Sequence, residues 1–244
     1  AGLMLFLLFV KASTGTFPVS LRIGASSEQA ALARGIELIK KEGYGPAVEV
    51  LDEVIRQNPQ MAEAFYRRGM AQCLRGEGLQ VQGGASSNVN YLDKAVSDFT
   101  EAMRLKPNYA EALSFRGRAW SAKGDFERAF ADHSEALRIK PGDSELVRNR
   151  GLSWEDRGDL EKAVADFGEA TRLDPRNAEA FTSRGLAWLE KGEPDRAISD
   201  YDEAIRLNPK LDRAFNNRGA AWHDKREYDR AISDYDEAIR LNPS

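Results

Sequence analysis

The chain has 244 residues, 42% of them hydrophobic and 30% charged, and a formal net charge of −4. That balance supports a buried core and excludes disordered and collagen-like classes. Its mild acidity excludes the broad positive field that a nucleic-acid binder presents, and the single cysteine, Cys73, excludes an intrachain disulfide or a cysteine metal cluster.

The chain opens on an apolar run, Leu3–Val10, reading LMLFLLFV and followed by Lys11. It is far shorter than the ~18 residues that span a bilayer and has the length of a signal-peptide core. No basic segment precedes it and no clear small-residue cleavage site follows; Ile23-Gly24-Ala25 stands rather far downstream. Residues 1–27 therefore read as an apolar arm, or as a signal or anchor remnant, plus a linker. An arm packed on the body of the protein and a terminal artefact are the alternatives. An exported, periplasmic or membrane-associated location is the expectation and a cytoplasmic one the alternative, with membrane contact only through this segment.

Beyond the arm the chain repeats itself. Asp195–Pro209 and Asp229–Pro243 both read DRAISDYDEAIRLNP. Pro107, Pro141, Pro175, Pro209 and Pro243 stand 34 residues apart, and Pro59 precedes Pro107 by 48, which is 34 plus 14 extra residues. A fixed period of this length signals stacked structural units. Six follow: 28–61, 62–109, 110–143, 144–177, 178–211 and 212–244. In the second, GEGLQVQGGASSNVN at 76–90 carries the extra residues and reads as a flexible surface loop between two helices.

Each unit holds two amphipathic helices. In the fifth, Phe181, Gly185 and Trp188 share one face of a helix over 178–190, and Ala197, Tyr201, Ala204 and Ile205 share one over 194–207. Pro194 suits a first helical turn, and Pro209 ends the unit. Gly35, Gly69, Gly117, Gly151, Gly185 and Gly219 form a column in the first helices, and Ala47, Ala95, Ala129, Ala163, Ala197 and Ala231 one in the second. A glycine inside a helix costs about 1 kcal/mol against alanine, so six in register imply closely approaching backbones. Trp120, Trp154, Trp188 and Trp222, with Phe99, Phe167, Tyr201 and Tyr235, read as the core beside them. His133 stands where a second helix otherwise has an aromatic, and reads as a core histidine.

Every unit carries Arg before its glycine: Arg34, Arg68, Arg116, Arg150, Arg184 and Arg218. Five second helices carry Asp98, Asp132, Asp166, Asp200 and Asp234 at a fixed place, where the first unit has Val50. Planar guanidinium groups suit two-pronged contact with carboxylates, so these read as structural ion pairs and not as an anion-binding ladder. Six further pairs, Glu53 with Arg56 through Glu237 with Arg240, fall three residues apart on exposed helix faces.

The period, the glycine and alanine columns, the aromatics beside them and the closing proline resemble the tetratricopeptide repeat family. The resemblance implies an all-α fold: antiparallel helix pairs stacked into a right-handed superhelical α-solenoid, with first helices lining a concave groove. It departs from the family's commonest pattern at the arginine column, where leucine is usual. On the expected groove face, Leu32, Ile36, Ile39, Tyr66, Met70, Leu74 and Phe115 make the first three units apolar. Arg148, Asn149, Glu155, Thr182, Ser183, Glu190, Arg213, Asn216, Asn217, His223 and Asp224 make the last three polar.

Some family members hold a C-terminal carboxylate through Lys, Asn and Arg on three successive first helices. Here Arg118, Arg148, Asn149 and Asn217 are scattered and do not complete that set; Arg118 and Arg148 are the candidates for an acidic group. No G-x-S-x-G, H-E-x-x-H or P-loop occurs. Acid–base catalysis needs carboxylates in unlike environments, whereas repetition gives them like ones. His223 has no Cys or His at ligand spacing, so neither a metal nor a cofactor is expected. The sequence thus points to a non-enzymatic interaction scaffold that binds a protein or peptide in its groove, not nucleic acid. The expected binding set is Tyr66, Met70, Phe115, Arg118, Arg148, Asn149, Thr182, Asn216, Asn217 and His223. One alternative is a self-assembling homo-oligomer using the arm or the last unit, after which no polar capping helix follows. The other is the repeat domain of a larger enzyme.

Overall fold

The computed structural model describes residues 20–81 and 85–243, with side chains over 27–78 and 90–243. Leu3–Val10 lies outside the described residues. Among those described there are twelve helices and no strand: α1 Ser20–Lys40, α2 Tyr44–Gln57, α3 Ala62–Val81, α4 Ala85–Leu105, α5 Ala110–Ala122, α6 Phe126–Ile139, α7 Ser144–Asp156, α8 Leu160–Leu173, α9 Ala178–Glu190, α10 Pro194–Leu207, α11 Asp212–Asp224 and α12 Tyr228–Leu241.

The turn between the helices of a unit is set by one left-handed residue and, in two units, an aspartate cap. Gly124, Gly158 and Gly192 have φ of 80°, 83° and 77°, where an L side chain is strained. Asp125 and Asp159 then accept from the backbone N–H of Arg128 and Lys162, three residues on. In the last unit Arg226 occupies the same left-handed position, at φ 63°.

Among the described residues the core is a string of seven small clusters, each shared between neighbouring units, as expected of a solenoid whose units touch only their neighbours. Ala47, Ala95, Ala129, Ala163 and Ala197 are entirely shut off from solvent, as are Phe99, Phe167, Tyr201 and His133. The glycine column shows why nothing larger fits: a Cβ on Gly151 would stand 2.6 Å from the Phe167 ring, and one on Gly185 2.7 Å from that of Tyr201. First helices of successive units approach one another (α3 with α5, α5 with α7, α7 with α9), whereas successive second helices do not. The stack is therefore tighter on the first-helix side, and that side is the concave one.

Three expectations change. Of the stretch 76–90, the described residues are helical and not loop: 76–81 continue α3 and 85–90 open α4. The stretch contains no proline, so its extra residues lengthen the pair to 20 and 21 residues against 13 and 14 in the next unit. The first helix begins at Ser20, ahead of the boundary at 28. Finally, the four tryptophans are half-buried at the edge of the core, with Trp154, Trp188 and Trp222 packed against its clusters. Each lies under a cation from the following helix, with Arg128 3.9 Å above Trp120, Lys162 4.3 Å above Trp154, Arg196 4.6 Å above Trp188 and Arg230 4.6 Å above Trp222.

Candidate functional site

The concave side holds a groove of about 760 Å³. Its floor comes from five first helices: Tyr66, Met70 and Leu74 on α3, Phe115 and Arg118 on α5, Leu146, Arg148, Asn149, Leu152 and Glu155 on α7, Thr182, Ser183 and Leu186 on α9, and Arg213 and Asn217 on α11. Glu42, from the turn before α2, and Tyr44, the first residue of α2, close its N-terminal end. The 34-residue period places each of these contributions at nearly the same height on successive helices.

At the apolar end, Tyr66 packs among Phe99, Tyr109 and Phe115, with ring centroids 6.1, 5.0 and 5.8 Å away. Tyr66 is buried, as are Asn149 and Thr182. Asn149 donates through Nδ2 to Ser114 Oγ at 3.0 Å while its buried Oδ1 has no partner, and the Thr182 hydroxyl donates to the Ala178 carbonyl at 2.9 Å. Met70, Phe115 and Asn217 are half-buried on the groove wall.

Two expectations about the site change. Arg118 and Arg148 line the groove already paired within the chain: Arg118 donates to Glu77 at 2.6 Å and Arg148 to Glu145 at 2.9 Å, and both side chains are largely enclosed. Asn216 and His223 do not line the groove. Asn216 is exposed, and the exposed His223 imidazole meets the Tyr228 ring edge-on across the turn to α12.

Carboxylates dominate what sequence reasoning missed. Glu63, Glu111, Glu145 and Glu179 each stand second in their first helix, a column that was visible in the sequence. The last three line the groove, together with Asp143, which caps α7 through the N–H groups of Glu145 and Leu146. Burial raises the Glu145 pKa, but Arg148 and Asn177 outweigh it and hold the carboxyl below its ordinary value. Glu155 goes the other way: burial, Glu190 and Asp156 push it up to about 8, against Arg148. Burial also raises Glu190 and Asp156. Cys73 is buried, its thiol pushed up by desolvation and by Glu77, whose Oε1 it faces at 3.5 Å.

The arginine column stands behind this surface. Arg116 grips Asp132 through Nε and Nη2 (2.8 and 2.8 Å), Arg150 grips Asp166 (2.7 and 2.7 Å), Arg184 grips Asp200 (2.8 and 2.6 Å), and Arg218 grips Asp234 (2.8 and 2.7 Å). Arg68 holds Asp98 in the same way. Four of the five also use Nη1 to reach the second helix of the preceding unit: Arg68 to Asp52, Arg116 to Thr100, Arg184 to Thr171 and Arg218 to Asp202. The column therefore ties neighbouring units together as well as the two helices within one. Arg34, opposite Val50, is exposed.

His133 fills the aromatic position of its unit and shares a 2.8 Å hydrogen bond with Ser153 Oγ. Burial, with Arg118 and Arg150, lowers its pKa to about 3, so it is neutral. Among the described residues no group of His, Cys, Asp and Glu could hold a metal ion, and no helix is long and apolar enough to cross a membrane.

Comparison with known proteins agrees with this architecture. A tetratricopeptide repeat profile matches residues 90–144 and 149–212, and a second profile of the same description matches 212–244. No curated protein sequence matches. A thermophilic TPR protein of Thermus thermophilus is 22% identical with a TM-score of 0.65, over 84% of this chain and 99% of that one. A chain of the APC/C hetero-tetramer Cut9–Hcn1 is 18% identical with a TM-score of 0.65, over 89% of this chain and 40% of that one. PilF of Pseudomonas aeruginosa is 20% identical with a TM-score of 0.55, over 71% and 76%. At these identities the likeness is one of fold.

Proposed function

Because the chain belongs to the tetratricopeptide repeat family, we propose that it is a non-enzymatic interaction scaffold whose concave groove takes up a segment of a protein partner. The observation that carries this reading is the contrast between the groove and the rest of each unit. Glycine, alanine and arginine recur at their packing positions, whereas, apart from the Glu111, Glu145 and Glu179 column, most groove positions of α3, α5, α7, α9 and α11 differ from unit to unit. Invariant packing with a varied concave wall is what an adaptor needs, because the fold is held constant while the wall is shaped to one ligand. The groove volume lies within the range of about 300–1,000 Å³ of ordinary ligand sites, large enough for several side chains of an extended or helical segment. Of the groove carboxylates, Glu111, Glu145 and Glu179 serve in ion pairs and Asp143 in a cap, and none forms with His or Cys the arrangement of a nucleophilic site among the described residues.

The test fills the groove without disturbing its packing. Ser183→Trp with Asn217→Trp places two indoles on half-buried polar positions of the wall. A partner held by the native chain should be lost by this variant while its melting transition is retained; a partner held equally by both places the interaction elsewhere.

A second reading has an observation of its own. Ile232 on α12 is 57% exposed, whereas its counterpart in the verbatim repeat, Ile198 on α10, is 7% exposed beneath α11. The α12 face, with Tyr228 and Ile239, fits a helix of a second copy in the place that α11 takes on α10. Sedimentation of Ile232→Glu against the native chain checks it: a concentration-dependent dimer in the native chain should become a monomer.

A further inference from the structure

The groove reading above underlies this inference, which concerns the chemistry of the segment the groove accepts. The lining carries six carboxylates against three guanidinium groups. All three arginines are already matched: Arg118 with Glu77 at 2.6 Å, Arg148 with Glu145 at 2.9 Å and Arg213 with Glu179 at 2.8 Å. Nothing cationic on the wall is left for an incoming carboxylate. Glu42, Asp143 and Glu155, in contrast, line the groove and form no ion pair among the described residues. Glu155 is the most exacting of them. Its Oε1 is closed off from solvent and accepts no hydrogen bond, although the side chain borders the groove. A buried acceptor without a donor is a standing cost to the fold, which a donor from a ligand relieves. Leu152 and Leu186 line the same groove, and Tyr44, Leu74 and Phe115 provide further apolar surface on its wall.

We infer that the groove accepts a cationic amphipathic peptide segment of a protein partner, its apolar side chains resting on Tyr44, Leu74 and Phe115 and a lysine or arginine donating to Glu155. Charge complementarity sets the sign: with Glu155 protonated, the five other carboxylates of the lining still outnumber its three guanidinium groups, which attracts a basic segment and repels an acidic one. The surroundings of Glu155 add a consequence. On its own helix it is within electrostatic reach of Asp156 and Arg148, from α9 it meets Glu190, and from α10 Tyr201, whose hydroxyl also lacks a hydrogen-bond partner. With the pKa at about 8, the empty groove holds the carboxyl protonated at neutral pH. A cation docking there favours the ionised form, so binding at pH 7 releases a proton and tightens as pH rises toward 8.

Three synthetic 14-residue peptides test this, with identical leucine spacing and lysine, glutamine or glutamate between the leucines. Each is titrated calorimetrically into the full chain at pH 7, in two buffers of different ionisation heat and at two salt concentrations. The lysine peptide should bind about tenfold or more tightly than the glutamate peptide, weaken with salt and release protons. Glu155→Gln should weaken it about five- to tenfold and abolish the proton release without lowering the melting temperature. Equal or tighter binding of the glutamate peptide overturns the inference, as does a Glu155→Gln variant with unaltered affinity and proton release. The two-tryptophan variant separates the failures. If all three peptides bind alike and all are lost in that variant, the groove reading stands and the charge inference falls. If no peptide binds, or none responds to the filled groove, both fall.

Discussion

Replacing Asp200 by alanine isolates one rung of the arginine column. Asp200 is 8% exposed at its side chain and Arg184 25%. The change removes acceptors at 2.8 and 2.6 Å from Arg184 Nε and Nη2 and leaves only Thr171 Oγ1, 3.1 Å from Nη1. Breaking a fully buried ion pair on one side costs about 3–5 kcal/mol. Water reaches a quarter of the Arg184 side chain and Thr171 still accepts, so the expected loss is smaller, about 2–3 kcal/mol. Because each unit leans on its neighbours, the loss should concentrate around α9 to α11. Urea denaturation gives the total, and hydrogen exchange over residues 178–224 shows where it falls. Adding Arg184→Leu removes the stranded cation and should recover most of the stability. A single variant indistinguishable from the native chain, or exchange that rises evenly along all six units, would refute the argument.

Gly151→Ala sets helix propensity against space. Alanine favours the helix by about 1 kcal/mol, but its Cβ would sit 2.6 Å from a fully buried Phe167 ring, so a net loss of about 1–3 kcal/mol is expected by denaturation. Arg226→Gly places glycine at φ 63°, where the units before it have Gly192, Gly158 and Gly124, and should raise stability by about 0.5–1 kcal/mol in the same assay. His133, lowered from 6.5 to about 3 in the fold, binds a proton more readily once unfolded. Its contribution is therefore present above pH 6.5 and lost as pH falls from there toward 3, by up to about 1.4 kcal/mol per pH unit. His133→Phe with Ser153→Ala, which restores the residue types of the neighbouring units, should flatten that acid slope in pH-dependent melting; an unchanged slope would place it on other groups.

The repeat was legible because a solenoid turns tertiary packing into sequence columns. The glycine that admits Phe167 or Tyr201, the buried alanines and the Arg–Asp pairs 16 residues apart recur at one spacing, since each unit meets its neighbour in the same geometry. A column of this kind states its own constraint, and the closing prolines mark its boundaries. Other features depend on how far a side chain reaches. The extra residues of the second unit can be loop or helix with the same composition, and the helix of the described ones goes with the close pairing of α3 and α4. The tryptophans share the hydrophobic period of the core, yet the width of the stack leaves them half-buried beneath arginine and lysine. The groove's charge was the least visible of all. Arg118 finds Glu77 across 41 residues and Arg213 finds Glu179 across 34, and those pairings remove the cations that sequence alone would have offered to an acidic ligand. Register within a unit is local and survives in the sequence, whereas which of several nearby carboxylates an arginine reaches is settled only when five helices converge on one wall.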